Sequence, residues 1–122
     1  MIGYVTLGTN DLAKARTFFD ALLGELGARQ VMANDRMIIW GTQPGAPMVA
    51  VCTPYDGKAA TAGNGTMIAL NVGSKENVDK VYGKAMELGA ADDGAPGPRG
   101  GAGYFGYFRD LDGNKFAAFT MG

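Results

Sequence analysis

Apolar side chains recur along this chain with two different periods, and the change from one to the other marks the elements. Leu12, Ala15, Phe19, Leu22 and Leu26 are spaced 3, 4, 3 and 4 residues apart, and Val78, Val81, Ala85 and Leu88 are spaced 3, 4 and 3. Each series lines one side of a helix. Asn10 and Ser74 suit the N-cap positions, and Gly27 and Gly89 stand where a helix ends in a left-handed residue. The remaining apolar runs predict strands over 2–8, 30–33, 36–42 and 47–53, then over 66–72, 104–109 and 114–120, with the second helix at 75–88. Residues 94–103 (GAPGPRGGAG) are too rich in Gly and Pro to predict regular structure. Asp112-Gly113-Asn114 is a hairpin signal between the last two strands.

Alternation sorts the strand residues into faces. Tyr4, Thr6 and Gly8 oppose Val5 and Leu7, and Met67, Ala69 and Asn71 oppose Ile68, Leu70 and Val72. The wholly apolar sets are expected against the helices, and the mixed sets against a cavity.

The two helical patterns belong to a repeat. Glu25-Leu26-Gly27-Ala28 recurs as Glu87-Leu88-Gly89-Ala90, displaced by 62 residues, and each copy closes a helix that follows a short strand. The chain reads as two strand–helix–strands units, about 1–58 and 66–122, with 54–65 (PYDGKAATAGNG) as the connection.

Composition narrows the chemistry. At 122 residues, 47% hydrophobic and 19% charged, the chain is expected to fold as one domain with a real core. A net charge of −1 gives no footprint for nucleic acid or an anionic membrane. There is no histidine, which excludes His general bases, Ser/His/Asp systems and His-ligated metal sites. A single cysteine, Cys52, excludes an internal disulfide or a Cys-rich cluster. Without a signal-peptide pattern or an 18-residue apolar run, the expectation is a soluble cytoplasmic protein.

Several motifs have plainer explanations than chemistry. Gly101 to Gly106 spells G-x-G-x-x-G, but a strand-forming run, not a helix, follows it. Asp110-Leu111-Asp112-Gly113-Asn114 has its Gly at the fourth position, where a calcium loop needs it at the sixth. Cys52, in the apolar run PMVAVCT, reads as a buried small hydrophobe. Arg36 and Arg109 sit among apolar strand residues, where a cation is either ion-paired or holds an anionic ligand.

Two β-α-β-β-β copies in this length resemble the vicinal oxygen chelate superfamily, which includes glyoxalase I, extradiol dioxygenases, fosfomycin-resistance transferases and bleomycin-resistance proteins. The sharpest segments are residues 4–20, 63–70 (GNGTMIAL) and 109–116 (RDLDGNKF). The resemblance covers 1–122 as a single domain and implies an α+β fold. Its two βαβββ modules would form an open, curved eight-stranded sheet with two helices and an internal ligand cavity. It also implies a homodimer.

The resemblance implies metal ligands at positions where this chain has Tyr4, Met67 and Ala117, with a further one on the strand around 48–52, which holds neither carboxylate nor imidazole. The resulting expectation is a protein with no metal and no cofactor that binds a planar or partly apolar small molecule. Its candidate ligand-binding residues are Tyr4, Thr6, Trp40, Met67, Asn71, Tyr107, Arg109, Ala117 and Phe119, with Tyr104 and Phe105 as further aromatic walls. One alternative is a divergent, metal-free lyase or isomerase, with Tyr4 as proton donor and Arg109 stabilising an enolate-like anion. Another is a structural module whose cavity has filled with side chains.

Overall fold

The computed structural model describes residues 1–101 and 103–122, which form two compact units, Met1–Thr61 and Ala62–Gly122. The first unit contains β1 (Tyr4–Gly8), α1 (Leu12–Gly24), β2 (Arg29–Ala33), β3 (Met37–Gly41) and β4 (Met48–Cys52). The second contains β5 (Met67–Asn71), α2 (Lys75–Glu87), β6 (Ala91–Arg99), β7 (Gly103–Arg109) and β8 (Lys115–Met121). Each is a βαβββ module. Hydrogen bonding divides the strands into two four-stranded sheets of matching topology, β1-β4-β3-β2 and β5-β8-β7-β6. In each, the first strand runs parallel to the last, and the other pairs are antiparallel.

The helix ends follow from local chemistry. Ser74 caps α2 by accepting from the Asn77 N–H at 3.1 Å. In α1 the cap is Asp11, whose carboxylate accepts from the Lys14 N–H at 3.0 Å, and not the expected Asn10. Asn10 instead clamps the connection between the modules, accepting from the Ala60 N–H at 2.7 Å and donating to the Ala60 carbonyl at 3.1 Å. Both helices stop at a left-handed glycine, Gly27 (φ 77°) and Gly89 (φ 97°). The residue after each donates back into the helix, Ala28 to the Leu23 carbonyl and Ala90 to that of Ala85.

The expected irregular stretch at 94–103 is corrected by β6, which takes up Ala91–Arg99. It is the edge strand of its sheet, paired with β7 alone, and its register slips between Asp92 and Gly94 and between Gly94 and Gly97. Pro96 and Pro98 lack an N–H, and an edge strand with bulges is where that omission is tolerated.

Each helix covers one face of its own sheet. In the first unit Phe18, Phe19, Leu22 and Leu23 of α1 are buried, as are Leu7, Ile38, Trp40 and Val51 of the sheet. In the second, Val78, Val81 and Ala85 of α2 are buried with Phe108, Phe116 and Ala118, and the Phe108 and Phe116 rings stack at 5.6 Å. α2 packs on β6, β7 and β8, and Met67, Ala69 and Asn71 of β5 remain exposed. Among the described residues no helix is long and apolar enough to cross a membrane.

Candidate functional site

Strand register assembles the face of the second sheet that points away from α2. Three rows run across β5, β8, β7 and β6: Met67–Lys115–Arg109–Ala91, Ala69–Ala117–Tyr107–Gly94 and Asn71–Phe119–Phe105–Gly97. Residues facing one another in register share a face, so Met67, Asn71, Tyr107, Arg109, Ala117 and Phe119 lie together, Met67 and Asn71 on one face as alternation predicts. Phe105 joins them. Its ring lies within 11° of parallel to those of Phe119, at 5.1 Å, and Tyr107, at 5.9 Å. Ala117 is fully buried in this row, whereas Met67 is 42% exposed at its margin.

Two aromatic candidates lie elsewhere. Trp40 is 1% exposed and faces α1, with its ring 5.6 Å from Phe19 and its Nε1–H donating to Asp20 at 2.8 Å. It is a core residue, so the expectation that it lines a ligand site is corrected. Tyr104 is likewise on the helix side, because its hydroxyl donates to Asp79 of α2 at 2.8 Å.

In the first unit the corresponding face carries Tyr4 beside Met48, then Thr6, Ala50 and Ile39 in one row and Gly8, Cys52 and Met37 in the next. Tyr4 is 54% exposed, Thr6 is exposed and Ala50 is buried. Cys52 is half-buried, not fully enclosed. A groove of about 380 Å³ beside this face is lined by Arg29, Val31, Gly41, Pro44 and Met48 and includes none of the predicted residues.

On this face of the second unit Asp93, Arg109 and Lys115 form one connected group. Arg109 Nε donates to Asp93 at 3.1 Å, Lys115 Nζ reaches the same oxygen at 3.2 Å, and Arg109 Nη1 donates to the Gly113 carbonyl at 3.1 Å. The Lys115 bond, then the fields of Lys115 and Arg109, hold the Asp93 carboxyl below its ordinary range, although some desolvation opposes them. Lys115 Nζ also stands 5.2 Å from the centre of the Tyr107 ring, and the Arg99 guanidinium 5.9 Å from it. Arg36, the other strand-region cation, donates to the Thr53 carbonyl at 2.9 Å and lies over Tyr55.

Sequence reasoning missed Lys115, Asp93 and Arg99. Lys115 was within reach, being two residues from Ala117 and hence on its face. The other two belong to β6, whose strand character the Gly and Pro content hides.

Among the described residues no group of three or more His, Cys, Asp or Glu side chains is placed to hold a metal ion. On the second unit's helix-free face Met67 and Ala117 bring a thioether and a methyl, and neither is the N or O donor that a divalent cation requires.

The Glyoxalase/Bleomycin resistance protein/Dioxygenase superfamily model matches residues 1–118. No curated protein matches. Among solved structures, a glyoxalase/bleomycin resistance protein from Albidiferax ferrireducens T118 is 33% identical, covers 100% of this chain and 99% of its own, and superposes with a TM-score of 0.90. A glyoxalase/bleomycin resistance protein/dioxygenase family enzyme from Burkholderia phytofirmans PsJN shares the fold at 20% identity, covering 98% of this chain and 97% of its own, with a TM-score of 0.81. Fosfomycin resistance protein FosX from Mesorhizobium loti does so at 23% identity, covering 100% and 92%, with a TM-score of 0.72. Paired βαβββ modules, a match over nearly the whole length and a relative with a third of its residues identical agree: the chain belongs to the glyoxalase/bleomycin resistance protein/dioxygenase superfamily.

Proposed function

We propose that this protein binds a planar, partly apolar small molecule without a divalent metal, acting as a homodimer. The observation that carries the reading is the composition of the second unit's helix-free face. Partly exposed Phe105, Tyr107 and Phe119 lie beside Met67, Asn71 and Arg109. Such a surface offers apolar area and a few directional polar groups, the combination that small-molecule sites use. The Met67 thioether and the Ala117 methyl support binding over metal-dependent turnover, because neither offers an N or O donor to hold a Lewis-acidic cation.

The test is a small-molecule panel followed by ligand-observed NMR on protein held in excess EDTA. Planar aromatic compounds are expected to bind under these conditions, and Tyr107→Ala is expected to weaken them. Binding that appears only after a divalent cation is restored would contradict the proposal.

A further inference from the structure

The second unit's helix-free face is more cationic than its candidate residues indicated. Arg99, Arg109 and Lys115 supply three positive charges there, and Asp93 is the carboxylate among them. Asp93 occupies one edge of the group, shared by Arg109 and Lys115. Arg99 has a different environment. Its guanidinium donates to the Ala95 carbonyl at 2.8 Å and the Pro98 carbonyl at 3.3 Å, and among the described residues no carboxylate pairs with it. Two backbone carbonyls therefore orient the group while leaving its charge uncompensated. Orientation beforehand lowers the ordering cost of binding an anion.

Tyr107 links this charge to the aromatic surface, being near both Arg99 and Lys115 and stacked with Phe105. A cation beside a ring, next to further parallel rings, matches a ligand that carries an anionic group at one end of a flat apolar body. A neutral ligand would leave Arg99 without a counter-charge, and a cationic ligand would be repelled.

Resting on the small-molecule reading above, we propose that the ligand class is an aromatic or similarly flat carboxylate. Arg99 and Lys115 hold its anionic group beside Tyr107, and its apolar body lies along Phe105 and Phe119. Asp93 is the built-in example, a carboxylate already held by Lys115 and Arg109.

The experiment titrates the intact protein with 2-naphthoate and with 2-naphthamide, its neutral counterpart, following backbone amide shifts. Naphthoate is expected to bind more tightly, with shifts centred on Arg99, Tyr107 and Lys115, and to weaken as salt is added. Arg99→Gln disturbs no ion pair seen in the structure and is expected to weaken naphthoate about tenfold while leaving naphthamide unchanged. Lys115→Gln should do the same. Equal affinity for the two probes, or naphthoate binding indifferent to both substitutions, would overturn this inference and leave the small-molecule reading intact. Failure of both probes and of the wider panel would overturn both.

Discussion

Replacing Trp40 with alanine is expected to cost about 3–5 kcal/mol of stability, a large part of what holds a domain of this size folded. The ring is enclosed between β3 and α1, in contact with Phe19. Its removal leaves a cavity and takes from the Asp20 carboxylate the bond from Trp40 Nε1 at 2.8 Å, leaving the one from Gln30 Nε2 at 2.9 Å. Trp40→Phe keeps most of the packing and loses one hydrogen bond, so about 1–2 kcal/mol is expected. Urea unfolding followed by circular dichroism measures both. Because Trp40 faces the helix, Trp40→Phe should leave aromatic-ligand affinity at the wild-type value. An alanine variant of full stability, or a phenylalanine variant with impaired binding, would return Trp40 to the candidate site.

The second large effect is expected at Asp110, in the turn between β7 and β8. Its Oδ1 accepts from the Asp112 N–H at 2.9 Å and the Asn114 N–H at 2.8 Å, and its Oδ2 from Asn114 Nδ2 at 3.0 Å. Asp110 and Asn114 are both buried. Asp110→Ala removes both acceptor oxygens and with them all three hydrogen bonds, two of them from buried Asn114, for an expected loss of about 2–4 kcal/mol. The turn sets the register of Arg109 against Lys115, so the same variant should disturb the amide signals of both.

Asp110 also gives a pH signature. Burial pushes its carboxyl above the ordinary carboxylate range, outweighing the hydrogen bonds from Asn114 and Asp112 that act in the other direction. A carboxyl raised on folding favours the folded state most below its unfolded pKa, and that contribution is lost as pH rises through the folded value. Asp93, held low by Lys115 and Arg109, has the opposite sign: its contribution is present above the unfolded value and lost as pH falls through the folded one. Carboxyl-carbon NMR titration should place the Asp110 midpoint above the ordinary range and the Asp93 midpoint below it. The reverse order would contradict the structure of the turn.

The repeat, both helices and the two glycine stops are legible in the sequence because each rests on local chemistry: apolar periodicity, a left-handed residue, a short capping side chain. Asn10 and Asp11 are equally good caps on paper. Only the position of Ala60, fifty residues away in sequence, shows which of the two is engaged elsewhere. β6 is hidden because Gly and Pro report backbone freedom and missing donors, whereas its strand character comes from pairing with β7. The face of β3 is hidden for another reason. In Met37-Ile38-Ile39-Trp40 every residue is apolar, so alternation separates the two faces without saying which meets the helix. In β5 the polar Asn71 breaks that symmetry, and Met67 and Asn71 fall on the face assigned to them, with Ala117 and Phe119 of β8 beside them in register. Arg109 shows how ligand and structural roles overlap in a sequence: it is ion-paired to Asp93, yet it still lies on the candidate surface.

Native mass spectrometry of freshly purified, untagged protein tests metal-independent binding most directly, since one spectrum reports subunit number, bound metal and any retained small molecule. The expected result is a dimer without stoichiometric metal, carrying or readily accepting a small aromatic anion. One divalent ion per subunit, retained through dialysis, would contradict it and place Tyr4, Met67 and Ala117 outside the positions that decide metal binding.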